Sequence, residues 1–229
     1  MGPIIGLIIQ IILIGMLASI VGLGVTGWVT GLGYGIVTCA ILTRAMGRSG
    51  MATFGPADWV TLGRAALIGG VAVLTADSFH RPAPVVALVA VTIVALLLDA
   101  LDGQVARRTG TVSEFGARFD MEVDAVLILV LSVYVAQSMG WWVLALGVMR
   151  FAFVAAGRAW PWMRRQLPPR YWRKVVAATQ GVVLVVATAG VLPDPLIVTG
   201  FVVTLIMLVE SFGRDMLWLW LRRAEPLPS

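Results

Sequence analysis

The sequence predicts an all-α integral membrane protein, with a six-helix transmembrane core, an interfacial helix before it, and an extra N-terminal transmembrane hairpin. Three observations carry this. Of 229 residues, 59% are hydrophobic and 13% charged, with a mean hydropathy of +0.94, more apolar than a water-soluble domain needs to fill its core. The apolar residues fall in continuous runs close to the roughly 20 residues that span a bilayer as a helix. The runs do not alternate apolar with polar positions, as strands of a membrane barrel must.

Eight runs read as crossings, at about 3–23, 26–43, 62–79, 84–101, 120–139, 141–159, 174–192 and 196–219. The first begins apolar, with no Lys or Arg before Arg44, so it lacks the charged start of a cleavable signal and is expected to be retained. Gly22, Gly24 and Gly27 break the first long apolar stretch into a tight hairpin. Gly27, Gly31 and Gly35 share one helical face and permit close helix contact. Internal packing and a homodimer seam both fit that face, and a homodimer is expected. Cys39 is the single cysteine, so no disulfide forms within the chain.

Residues 45–55 are polar or small and read as a linker. The domain expectation is therefore a hairpin over 1–44, the linker 45–55 and a catalytic domain over 56–229. Pro56 suits the first turn of a helix, and the mixed run from Ala57 to Arg64 predicts a short interfacial helix leading into the third crossing. His80 sits in an outer loop without the partners a metal site needs. Most tryptophans lie near helix ends, as an aromatic belt requires. Gln180 would bond to a neighbouring helix or to substrate, and Glu210 and Arg214 are spaced to pair along the last helix.

The net charge is +5 and the isoelectric point about 10.3. All Lys and Arg except Arg81 and Arg150 fall at alternate turns, counting Arg64 among them. The positive-inside rule then places both termini in the cytoplasm, in the cell (inner) membrane. This basic face suits anionic headgroups and phosphates of membrane lipids, and no nucleic-acid partner is expected.

The chemistry concentrates where the fourth run ends and the fifth begins. Asp99 and Asp102 are three apart, and Asp120 and Asp124 four apart, so each pair lies on one helical face. The connection bends back, letting the faces converge. A carboxylate at the bilayer centre costs about 2.5–3.5 kcal/mol on insertion scales, and gathering several adds repulsion. Hard divalent cations with oxygen ligands compensate, two ions sharing carboxylates, and Mg2+ or Mn2+ suits a site without thiolate or imidazole. The competing reading is salt bridges to Arg107, Arg108 or Arg118 that only hold the bend. Gly103 and Ala106 let a ligand approach the backbone, and Arg107 can hold a phosphate, which favours a diphosphate.

The run D-x-x-D-G-x-x-A-R, eight residues, then G-x-x-x-D-x-x-x-D over residues 99–124 resembles the signature of the CDP-alcohol phosphatidyltransferase family at every fixed position. The resemblance extends over residues 56–222 and leaves the hairpin without a role. It implies that Asp99, Asp102 and Asp120 bind metal, and that Asp124 completes the site and acts as general base. It further implies that Gly103, Ala106 and Arg107 contact the CDP moiety, with Thr61, Ser113 and Gly116 nearby. Asp58 stands where relatives often have Asn. The implied reaction joins a CDP-activated lipid of CDP-diacylglycerol type to a small alcohol acceptor, releasing CMP in phospholipid synthesis.

Relatives using phosphorylated acceptors often carry Lys or Arg where this chain has Ala125, which favours an unphosphorylated alcohol. Arg150, inside a helix near the membrane midplane, should face the cavity, and Arg158 and Lys174 join it as candidates for acceptor binding. Two alternatives stand beside this. One transfers a phospho-alcohol from soluble CDP-alcohol to diacylglycerol. The other is a cation transporter, which would leave the glycine, alanine and arginine between the acids unexplained.

Overall fold

A computed structural model describes residues 2–49, 54–109, 114–165, 167–168 and 170–223, with backbone alone at 48–49, 57, 100–109, 114, 161 and 164. The described elements are all helical: α1 Gly2–Val21, α2 Val25–Ser49, α3 Pro56–Asp77, α4 Val85–Thr109, α5 Glu114–Met139, α6 Leu144–Ala159, α7 Tyr171–Ala189 and α8 Asp194–Leu221, with short 3-10 turns Trp141–Val143 and Pro161–Arg164 on either side of α6. Glycines stop two helices in the left-handed conformation that other residues avoid: Gly22 (φ 66°) after α1 and Gly190 (φ 62°) after α7.

The chain is a multi-pass membrane protein, because α1, α2, α3, α6, α7 and α8 are each long and apolar enough to cross a bilayer. Of the other two expected crossings, α4 has described side chains only as far as Asp99 and is apolar over Val85–Asp99, and α5 runs apolar from Ala125 onward after its charged opening turns.

Two boundaries differ from expectation. The chain from Pro56 to Asp77 is one helix of 22 residues, so the interfacial segment expected before the third crossing is its opening turn and not a separate element. Pro56 occupies the first turn, and the Asp58 carboxylate accepts the Gly55 N–H at 2.8 Å, capping the end. Helix α2 also runs on to Ser49, into the expected linker, since one interior glycine, Gly47, costs only about 1 kcal/mol relative to alanine. Residues 50–53 of that linker lie outside the described residues.

The chain forms two compact units, Met1–Val130 and Leu131–Ser229, divided within α5. In the first, α3 is the enclosed helix: 72% of its span is buried, against 17% for α1 and 22% for α2. Leu62, Ile68, Val71, Val73 and Leu74 are almost wholly covered. The glycine face of α2 packs inward. A Cβ at Gly31 would come within 2.5 Å of Ile14 and 2.7 Å of Val73, and one at Gly35 within 2.9 Å of Leu7, so of the two readings of that face, internal packing is the one observed.

In the second unit, Gln180 donates to the Leu146 carbonyl on α6, so its partner is a neighbouring helix. Glu210 and Arg214 pair at 2.9 Å along α8, as their spacing requires. Asp215, 5% exposed, takes Arg173 at 2.8 Å and Arg170 at 3.6 Å.

Candidate active site

Three helices of the first unit supply the site. Helix α3 carries Thr61 and, one turn later, Arg64; α4 carries Asp99; α5 carries Gly116, Asp120 and Asp124 at four-residue spacing. The Arg64 side chain has no exposed surface. Its Nη2 lies 2.8 Å from Asp99 Oδ1, Nη1 donates to Asp120 Oδ1, and Nη2 also donates to Asp124 Oδ1. One guanidinium thus gathers carboxylates from two other helices, as its forked donors allow.

The acids themselves are half-open, with 40%, 33% and 46% of the Asp99, Asp120 and Asp124 side chains accessible. Arg64 backs them from the protein interior, and their accessible surface faces away from it. One oxygen from each lies within 4.8 Å of the others. A divalent cation with oxygen bonds of about 2.0–2.6 Å bridges ligands up to that separation. The donor set is oxygen alone, from three carboxylates. The residues present therefore fit a hard divalent ion.

Other expected site residues are placed less closely. Thr61 is buried at 3% exposure, and Gly116 is half-buried one turn before Asp120. Asp102, Gly103, Ala106 and Arg107 lie on the last turns of α4, whose side chains are outside those described, and Ser113 lies outside the described residues. Arg150 is half-buried and Arg158 exposed on α6, and Lys174 is exposed at the start of α7; all three belong to the second unit.

The sequence reading does not single out Arg64 as a site residue, because the third apolar run starts at 62, two residues before it. The helix starts at Pro56, which puts Arg64 more than two turns inside α3. The signal was present: an ionisable residue within a span is functional by default. Arg64 makes salt bridges to these acids, a partner the sequence reading does not name beside Arg107, Arg108 and Arg118; the Arg107 and Arg108 side chains are outside those described.

Comparison with known proteins gives one match. No curated protein and no solved structure matches the chain. The sequence model of the CDP-alcohol phosphatidyltransferase family matches residues 54–212, a span that contains Thr61, Arg64, both acidic pairs and the segment between them. With that match covering the greater part of the chain, and with Asp99, Asp120 and Asp124 close enough together to hold a metal ion, the chain belongs to the CDP-alcohol phosphatidyltransferase family.

Proposed function

We propose that this protein joins a CDP-diacylglycerol-type lipid to a small hydroxyl acceptor and releases CMP, in phospholipid synthesis. Family membership implies transfer of a substituted phosphate group from a CDP-alcohol at a membrane; the lipid donor, the acceptor and the direction are this proposal. The observation that carries it is the convergence of Asp99, Asp120 and Asp124 on buried Arg64.

Asp99, Asp120 and Asp124, with Asp102, would hold Mg2+ or Mn2+, as two ions. Bound there, they would neutralise the diphosphate and the charge developing on departing CMP. Asp124 takes the proton of the acceptor hydroxyl. The acceptor oxygen then bonds to the lipid-side phosphorus, the phosphorus–oxygen bond to CMP breaks, and CMP leaves with that electron pair. Arg64 keeps the acids at one depth by bonding all three. Thr61, Gly103, Ala106, Arg107, Ser113 and Gly116 would line the nucleotide path, and Arg150, Arg158 and Lys174 the acceptor side. The catalytic domain is assigned to 56–229, with the site and both termini facing the cytoplasm and the chain acting as a homodimer.

The test is CMP release by purified protein from CDP-diacylglycerol, offered inositol, serine, glycerol phosphate and inositol phosphate in turn, with and without chelator. Release that stops in chelator and returns with Mg2+ or Mn2+ supports the reading. Full activity in excess chelator refutes the metal site. Turnover confined to CDP-choline with diacylglycerol would reverse the assigned direction, and turnover only with phosphorylated acceptors would overturn the preference drawn from Ala125.

A further inference from the structure

The N-terminal hairpin lies outside the motif, yet it grips α3 at three depths. At the far end, the Asp77 carboxylate accepts the Gly24 N–H at 3.1 Å and the Thr26 hydroxyl at 3.0 Å, and Arg81 donates to the Gly22 carbonyl at 2.6 Å. In the middle, Gly31 admits Ile14 and Val73, and Gly69 sits so close to Gln10 that a Cβ there would lie 2.5 Å from its amide. Nearest the acids, the Tyr34 hydroxyl on α2 donates to the Ala65 carbonyl at 2.8 Å. Ala65 directly follows Arg64.

Resting on the reading of Arg64 given above, we propose that Tyr34 is a positioning residue: the hairpin sets the rotation and depth of α3, and through them the place of the Arg64 guanidinium. A helix that slips by one residue rotates about 100° and moves about 1.5 Å along its axis. Either displacement takes the Arg64 fork off three carboxylates held by other helices. A hydrogen bond to a carbonyl one residue from Arg64, where no bulk water competes, and glycine contacts that tolerate only one register oppose that slip. The Ala65 carbonyl still has its helical position without Tyr34, so the hydroxyl adds registration rather than satisfying an orphan group.

The experiment uses the full-length protein in lipid nanodiscs with Tyr34→Phe, which removes one oxygen. Turnover of CDP-diacylglycerol should fall about tenfold, on the scale of a sub-ångström misplacement, with its KM unchanged. The midpoint for Mn2+ binding without substrate, read by electron paramagnetic resonance, should rise several-fold. In Arg64→Lys, adding Tyr34→Phe should cost nothing further, since residues acting through one another are not additive. Gly69→Ala, which pushes Gln10 without touching Tyr34 or Arg64, should give the same loss, and adding Gln10→Ala should restore it. Wild-type turnover and Mn2+ midpoint in Tyr34→Phe, or losses that multiply fully with Arg64→Lys, would overturn the role of Tyr34 while leaving the transferase reading intact. Should Tyr34→Phe fail to fold, wild-type turnover and Mn2+ midpoint in Gly69→Ala would overturn the hairpin's control of α3, on which the role of Tyr34 depends. Wild-type protein that neither binds Mn2+ nor releases CMP would sink both.

Discussion

Asp99, Asp120 and Asp124 were legible because spacing alone puts each acidic pair on one face. Replacing any of the three by Asn keeps its volume and removes its charge, so CMP release should fall about a hundredfold or more while the protein still folds. Near-wild-type turnover in Asp120→Asn or Asp124→Asn would refute the assignment. The sequence signals Arg64 only as an ionisable residue inside a helix and leaves its partners open, because it does not show which α3 face meets α4 and α5. Arg64→Gln leaves three carboxylates facing one another. Loss of one partner of a fully buried pair costs about 3–5 kcal/mol; here the acids are half-exposed, and about 2–4 kcal/mol is expected after allowing for solvent screening. Thermal unfolding in detergent should show that loss, and Mg2+ should raise the midpoint of Arg64→Gln more than that of wild type, because the ion then supplies charge that the guanidinium no longer does. An equal Mg2+ shift in both would argue that Arg64 and the ion do not share these acids.

Helix existence was legible throughout, since long apolar runs admit no other structure in lipid. Helix ends were less so: hydropathy begins at residue 62 while the backbone begins at Pro56, and α2 carries Gly47 within it. The glycines of α2 pointed to close approach, but only the structure names Ile14, Val73 and Leu7 as what approaches. Gln10 is a local conflict of the same element. It is 2% exposed in the middle of α1, and neither amide atom has a hydrogen-bond partner among the described residues. Gln10→Met, similar in length and apolar, should therefore stabilise the protein by about 1–2 kcal/mol, read as a higher unfolding midpoint. A lower midpoint would mean that the amide is satisfied in the membrane. Asp77→Ala acts in the other direction, freeing the Gly24 N–H and the Thr26 hydroxyl, and should cost about 1–2 kcal/mol, as the loss of a helix N-cap does.

At the scale of the whole molecule, the proposed orientation rests on where the cations lie along the sequence, since the rule counts residues in short loops and near helix ends. Arg44, Arg158, Arg165, Arg170, Arg173, Arg222 and Arg223 fall at alternate connections, and Arg81 falls at one of the others. The proposed site depends on this orientation, since Asp99 ends the apolar stretch that starts at Val85, beyond the loop bearing Arg81. Single cysteines can read it in a Cys39→Ser background. Tyr171 is 80% exposed and Phe79 47% exposed, so both positions admit a reagent. In intact cells, an impermeant maleimide should label Phe79→Cys and leave Tyr171→Cys unmodified until the membrane is opened. The reverse pattern would place Arg64 and its three acids on the side of the membrane away from the cytoplasmic pool of nucleotides and soluble acceptors, and the proposed reaction would have no route to them.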